Sequence, residues 1–333
     1  MSLPIKPGFP PMEALLVNEI PSGDNWQYEP KWDGFRCIAF RDGESVELQS
    51  KSGQPLGRYF PEIVAAVSQV KASRFVIDGE LIITLDGEPS FDALLQRIHP
   101  ATSRVAKLAK ETPARFVVFD LLVDEKGDQT FAEVLKKRRQ RLDAFAKKFL
   151  AKNTTIELSP KTLDAEVALE WLNDKTVRLD GVIAKRLDLP YRSGERDGMK
   201  KVKKLRTADC VVGGFRYASK GGVVGSLLLG LYDDEGLLHH VGFTSSFNEA
   251  EKKELTKKLE PLIKAPGFTG NKPGGSSRWS TKKTSEWEPL ATKLVIEVQF
   301  DHFTGGRFRH GTRFLRWRPD KKPKQCGFDQ VKK

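Results

Sequence analysis

The stretch Glu29-Pro30-Lys31-Trp32-Asp33-Gly34-Phe35-Arg36 sets one lysine between two segments that read as strands, Trp26 to Glu29 and Phe35 to Phe40. The spacing predicts an exposed turn with Lys31 at its tip. Gly34 lets the backbone turn and approach a ligand closely, and Asp33 can accept backbone hydrogen bonds inside the turn. Such a lysine is a candidate covalent nucleophile. Its amine attacks only when neutral, and an ordinary pKa near 10.4 leaves almost none neutral at pH 7. A desolvated site shared with other cations is expected to lower it, with Arg36, Lys201 and Lys203 as neighbours.

Working outward, Phe35 to Phe40 and Val46 to Gln49 flank Asp42-Gly43, a hairpin signal. Residues 1 to 20, with four prolines, read as an irregular arm over the first domain. Pro61 opens a helix carrying Ile63, Val67 and Val70, and a further helix begins at Ser90. Phe75 to Ile83 reads as a buried strand interrupted at Asp78-Gly79-Glu80, Arg115 to Val123 as another, and Gly181 to Arg186 as a third. Thr130-Phe131-Ala132-Glu133 has the form of a capping box opening a long helix through Leu135, Leu142, Phe145 and Phe149, and Asp164 caps one more. From Ala208 the pattern is mostly strands with Gly-rich turns and a single helix behind the Asn248 to Glu251 box. That pattern suits a small five-stranded barrel of the OB type. The Gly-, Ser- and Lys-rich region from Pro266 to Trp287 reads as a mobile loop. The whole is an α+β chain in two domains, 1-206 and 207-333.

The 333 residues carry 56 Lys and Arg against 44 Asp and Glu, a formal charge of +12. An anionic partner is implied, and nucleic acid is the commonest. The apolar runs are far too short for a membrane span, and the N-terminus lacks a signal pattern, so a soluble cytoplasmic protein is expected. Three separated cysteines suit a reducing compartment. His239-His240 would point to opposite faces of a strand, which argues against a zinc site.

Isolated acids stand inside otherwise apolar strands. Asp78 and Glu80 are two apart and share a strand face; Asp120 follows Phe116 to Phe119, and Asp180 precedes Gly181 to Lys185. Buried carboxylates pair with cations or bind metals and hydroxyls. Lys201 and Lys203 also share a face, as two phosphate-binding cations should. A solvated basic strand would read the same way.

In order, Lys31 to Gly34, Phe75 to Leu81, Phe116 to Leu122, Asp180 to Arg186, Met199 to Lys203 and Leu315 to Lys321 resemble the nucleotidyltransferase motifs of ATP-dependent DNA ligases, above all bacterial ligase C and the ligase module of ligase D. The resemblance spans nearly the whole chain. It implies an adenylation domain of mainly antiparallel sheets with helices, then an OB-type barrel. It further implies that Lys31 becomes AMP-linked, that Arg36 and Glu80 contact the ribose, that Phe119 stacks on adenine and that Glu29 reads its edge. Glu80 and Asp180 would hold Mg2+ or Mn2+. Lys201 and Lys203 would grip the ATP phosphates, and Arg318, Asp320 and Lys321 would orient the leaving pyrophosphate. Lys51 would meet the nick phosphate, and apart from the resemblance the run 305 to 324, with eight basic side chains including Arg307 and Arg309 against Asp320 alone, reads as a DNA-binding face.

Three positions depart from the commoner motif: Asp180 for glutamate, Met199 for tryptophan, and Lys51 for an arginine on the nick phosphate, where an ammonium lacks the planar fork. ATP is favoured over NAD because only 30 residues precede Lys31. The implied substrate is nicked or broken duplex DNA, handled by a monomer with end-joining or repair proteins as partners. Pyrophosphate and DNA phosphates cannot share one basic surface at once, so the barrel is expected to move between the two, pivoting near Leu205 to Ala208. An RNA ligase, an RNA-capping guanylyltransferase and a non-catalytic OB module are the alternatives. Labelled ATP and GTP followed by DNA or RNA would separate them.

Overall fold

In the computed structural model the chain divides into two compact units, residues 1–204 and 205–333. The residues described are 2–173, 179–219, 222–274 and 286–331. The middle of the region expected to be a mobile loop, 275–285, lies outside them.

In the first unit the strands are β1 (Leu15–Leu16), β2 (Trp26–Lys31), β3 (Phe35–Asp42), β4 (Ser45–Ser50), β5 (Arg74–Ile82), the two-residue hairpin β6 (Thr84–Leu85) and β7 (Glu88–Pro89), β8 (Arg115–Val123), β9 (Ile156–Leu158), β10 (Gly181–Arg186) and β11 (Met199–Lys203). The helices are α1 (Pro61–Ser68), α2 (Phe91–Arg97), α3 (Thr102–Glu111), α4 (Leu135–Phe145) and α5 (Ala165–Asn173). Two sheets form, in the orders β4-β3-β5-β8-β9 and β1-β11-β10-β2. All neighbours are antiparallel except β8–β9 and β1–β11.

Strand alternation explains the layers. One face of the five-stranded sheet sends Ala39, Phe75, Ile77, Phe116 and Val118 into a core shared with Ile63 and Val67 of α1 and Leu142 and Phe145 of α4. The opposite face sends Ile38, Phe40, Val76 and Leu122 toward Leu3, Ile5 and Met12 of the arm and toward Tyr191 and Met199. On the four-stranded sheet, Tyr28, Val182 and Ala184 pack under Ala168 of α5. The remaining side chains of that sheet, two apart along each strand, are left to face the other way.

Several expectations need correction. The arm is not wholly irregular, because Leu15 and Leu16 pair in parallel with Lys200 and Lys201. The strand at Asp78-Gly79-Glu80 is not interrupted; β5 runs through it with a register shift against β8. Val70 is buried but follows α1 rather than belonging to it. Thr130 to Glu133 is no capping box: it is a separate 3-10 turn, and α4 starts at Leu135 after Val134. The Thr130 hydroxyl donates to the Leu121 carbonyl, and Glu133 pairs with Arg141 at 2.8 Å, so both side chains are engaged outside a capping box.

The second unit contains β12 (Arg206–Tyr217), β13 (Val224–Tyr232), β14 (Leu238–Thr244), α6 (Glu249–Leu259), β15 (Glu288–Pro289), β16 (Val295–Phe300), the short pair β17 (Phe303–Thr304) and β18 (Arg307–Phe308), and β19 (Arg313–Trp317). The sheet order is β14-β13-β12-β16-β19. Its outer strands meet at the Thr244–Thr312 bridge, where Thr312 N donates to the Phe243 carbonyl at 3.0 Å. Five strands thus close into a small barrel of the OB type, without a free edge there. Leu228, Leu231, Val241, Ile296 and Val298 fill its core with Leu255 and Leu259 of α6. Asn248 caps α6 in a complete capping box with Glu251.

Candidate active site

The cavity of the first unit, about 190 Å3, is bounded by the arm at Pro11 to Ala14 and by side chains from both sheets. The four-stranded sheet supplies alternate residues: Glu29 and Lys31 from β2, Ile183 and Lys185 from β10, Met199 and Lys201 from β11. Register sets them side by side. Glu29 lies opposite Ile183, which lies opposite Lys201; Lys31 lies opposite Gly181, which lies opposite Lys203. Gly181 has φ +147°, and a Cβ there would come within 1.9 Å of the Val202 carbonyl oxygen. Only glycine permits that close pairing.

The five-stranded sheet supplies Arg36, Glu80 and Phe119. Gly34 brings β3 so close to β5 that a Cβ would lie 2.1 Å from the Leu81 carbonyl oxygen. Asp78 and Glu80 share a face but part in role. Asp78 is fully buried, takes a bidentate pair from Arg36 (2.6 Å at both oxygens) and accepts from the Tyr191 hydroxyl at 2.6 Å. Glu80 alone of the two lines the cavity.

Lys31 is not on an exposed turn. It ends β2, its side chain is 19% exposed, and its ammonium forms an ion pair with the buried carboxylate of Asp180. The expectation of a lowered pKa is also overturned in this state. Burial pulls the Lys31 pKa down, but the Asp180 carboxylate, helped by Glu80 and Asp33, more than reverses it, so the pKa stands above its ordinary value. The lowered lysine is Lys201, through burial and then the neighbouring Lys31 and Lys203 ammoniums. Burial pushes the Glu80 carboxyl up to about 7 against the pull of Arg36 and Lys31.

Glu29, 2% exposed, is enclosed by cations: Lys185 at 2.8 Å and Arg139 at 3.4 Å, with Gln27 donating at 2.8 Å. The Phe119 ring lies 4.4 Å from Lys185 Nζ and 4.7 Å from the Arg36 guanidinium carbon. Lys51, 57% exposed, reaches the cavity rim and pairs with Glu13 at 3.0 Å, which also holds Arg196 at 2.9 Å. Asp120 is not part of the cavity; Arg138 neutralises it at 2.9 Å in the protein interior.

Nine of the sequence-predicted residues are therefore in the first unit. Glu29, Lys31, Arg36, Lys51, Glu80, Phe119 and Lys201 line the cavity. Asp180 joins through Lys31, and Lys203 through the strand face it shares with Lys201. Lys185, Arg139, Tyr191 and the arm's place at the cavity were missed. For Lys185 a signal existed, since it alternates with Gly181 and Ile183 along one strand. The others come from distant segments with no local signature.

Arg307, Arg309, Arg318, Asp320 and Lys321 belong to the second unit. Arg318 and Lys321 both reach Asp209, at 2.8 Å each, and Arg318 also pairs with Asp320 at 2.9 Å. Arg307 donates toward His240 Nδ1 at 3.3 Å, and with Arg309 it lines a shallow cleft beside Phe243 and Phe308.

Comparison with known proteins agrees over the full length. Residues 11–203 match the family model of the ATP dependent DNA ligase domain, and residues 220–321 match that of the ATP dependent DNA ligase C terminal region. The chain is 44% identical to DNA ligase C2 of Mycolicibacterium smegmatis, over 99% of this chain and 96% of that protein. It is 42% identical to DNA ligase C of Mycobacterium tuberculosis, over 100% and 96%. A solved structure of mycobacterial DNA ligase D complexed with ATP and MES superposes with a TM-score of 0.52 at 26% identity, covering 96% of this chain and 98% of that one.

Proposed function

The chain belongs to the ATP-dependent DNA ligases, and from that premise we propose that Lys31 is the residue that carries AMP during the sealing of 3′-hydroxyl and 5′-phosphate ends of nicked or broken duplex DNA. The observation that carries this reading is the lysine's position: an amine at the end of β2, lining the cavity with Glu29, Arg36, Glu80, Phe119 and Lys201 and paired with the buried Asp180.

The first step joins the Lys31 nitrogen to the α-phosphorus of ATP and breaks the bond to pyrophosphate. AMP then passes to a 5′-phosphate, and a 3′-hydroxyl displaces it to close the strand. Phe119 is the surface on which adenine stacks, with Lys185 and Arg36 fixing the ring. Glu29, an acceptor-only carboxylate held by Lys185 and Arg139, takes the adenine amino group. Arg36, held by Asp78, and Glu80 meet the ribose. Lys201 and Lys203 take the phosphates, and Arg318, Asp320 and Lys321 the pyrophosphate.

The donors Glu80 and Asp180 are hard carboxylate oxygens and fit Mg2+ or Mn2+, whose charge offsets that of the phosphates. When Asp180 is drawn off Lys31, the largest force holding its proton is gone; burial then pulls the pKa down against the weaker Glu80 and Asp33 carboxylates, and the amine is easier to deprotonate. Asp180 thus keeps Lys31 protonated in the resting enzyme. On the barrel, Arg307 and Arg309, and on the cavity rim Lys51, serve the DNA backbone.

The test is incubation with α-labelled ATP or GTP, then nicked DNA or RNA. Wild type is expected to take label from ATP and seal DNA. Lys31→Ala should take none, yet still seal a nick that is already adenylated. Label on the variant would place the nucleophile elsewhere.

A further inference from the structure

Arg318 and Lys321 stand at the two ends of one tight turn, in which Lys321 N donates to the Arg318 carbonyl at 3.2 Å. Their long side chains return to a single carboxylate. Arg318 Nη1 meets Asp209 Oδ1 at 2.8 Å, and Lys321 Nζ meets Asp209 Oδ2 at 2.8 Å. Asp320 holds the other edge of the guanidinium, through Nε at 3.0 Å and Nη2 at 2.9 Å.

Asp209 itself is fixed. It is buried on β12, where it pairs in register with Glu297 of β16. The Gln330 side chain clamps its peptide: Asp209 N donates to Gln330 Oε1 at 2.9 Å, and the Asp209 carbonyl accepts from Gln330 Nε2 at 3.2 Å. Left alone, two flexible cations this close would repel and spread over many rotamers. One rigid acid with an oxygen for each removes both problems.

We propose that Asp209 is a positioning residue for self-adenylation: without touching the nucleotide, it aligns Arg318 and Lys321 as a preset pair of donors for the pyrophosphate oxygens of ATP. This rests on the reading of those two cations given above. Preset donors avoid reorganisation when charge develops, which is where such groups gain their effect. The opposite sign of effect would follow if Asp209 were a latch sequestering the cations, since removing it would then speed the step.

The experiment measures single-turnover self-adenylation across ATP concentrations, and separately the sealing of a pre-adenylated nick. Asp209→Asn should slow adenylation at saturating ATP by about 10- to 100-fold, as expected for mispositioned groups, with the apparent ATP affinity and the sealing of pre-adenylated DNA nearly unchanged. Asp209→Glu should restore much of the rate. Gln330→Ala, which loosens Asp209 without altering charge, should slow the same step by a smaller factor and serves if Asp209→Asn does not fold. Adenylation at or above the wild-type rate in Asp209→Asn, or in its place in Gln330→Ala, overturns the proposal; so does equal loss in both steps. Arg318→Ala with Lys321→Ala is the control. If that pair leaves adenylation intact, the reading of the two cations fails; if it suppresses adenylation while the Asp209 and Gln330 variants do not, only the role of Asp209 fails.

Discussion

Replacing Glu80 by glutamine should make the first unit more stable and the enzyme inactive, by an amount that depends on pH. Burial, reinforced by Asp78 and Asp33 and opposed by Arg36 and Lys31, raises the Glu80 carboxyl from 4.5 to about 7. That rise corresponds to roughly 3 kcal/mol. In the unfolded chain the group releases its proton near 4.5; in the folded protein it keeps it until about 7. The folded state therefore binds more protons between these values, and this contribution to stability grows as pH falls through 7 toward 4.5. Above 7 the cost of the buried charge is fully present. Glu80→Gln keeps the shape and removes the charge, so at pH 8.5 it should gain about 3 kcal/mol over wild type, and at pH 5 little. Urea unfolding of the first unit's transition at both pH values measures this. The same titration should appear in function: the ionised fraction of Glu80 falls about tenfold between pH 8 and pH 6, and wild-type self-adenylation should fall with it. A stability gain equal at the two pH values, or a loss at pH 8.5, would refute the reasoning.

Three further outcomes follow from the same site. Asp180→Asn removes the main partner that holds the Lys31 pKa up, leaving burial against only Glu80 and Asp33, so the amine should titrate at lower pH than in wild type. The pH dependence of its acylation by a lysine reagent reads this directly, and an upward or absent shift contradicts it. Phe119→Ala should cost about 1–3 kcal/mol of adenine stacking, raising the ATP needed for adenylation while sparing the sealing of pre-adenylated nicks; equal losses would mark a packing residue. Arg138→Leu leaves the Asp120 charge buried without its partner and should lower stability by about 3–5 kcal/mol, seen as a fall in Tm, whereas replacing both residues by apolar ones should cost much less.

What could be read from the residues alone follows a physical boundary. Arg115 to Val123, Gly181 to Arg186 and the Asn248 capping box depend on local periodicity or on side chains three positions apart, and they stand where the pattern set them. The barrel was legible for the same reason, as a series of short strands with one helix. Thr130 to Glu133 matched the local pattern too, but Leu121 and Arg141 compete for its side chains from outside the window. The charge state of Lys31 was not legible, since it depends on Asp180, 149 positions away. The shell behind the cavity escaped likewise: Arg139 reaches Glu29 across 110 positions, and Tyr191 reaches Asp78 across 113. Sequence order carries motifs well and carries their counter-charges poorly.

The arm has a consequence for how the protein is made. Met12 is tied to Tyr191 across 179 positions, and Leu15 and Leu16 zip onto β11, the last strand of the first unit. A ribosome releases the N-terminal end first, so β2 and its lysine are synthesised long before β10 and β11 exist to stand beside them. The wall formed by Asp180, Lys185 and Lys201 arrives only as the unit is finished, and the arm can close the cavity only after that. High contact order of this kind slows folding. Until about residue 203 has left the exit tunnel, Lys31 stands on a strand whose neighbour in the sheet is not yet in place, and the unpaired strand edges of the nascent chain are open to pairing with other chains.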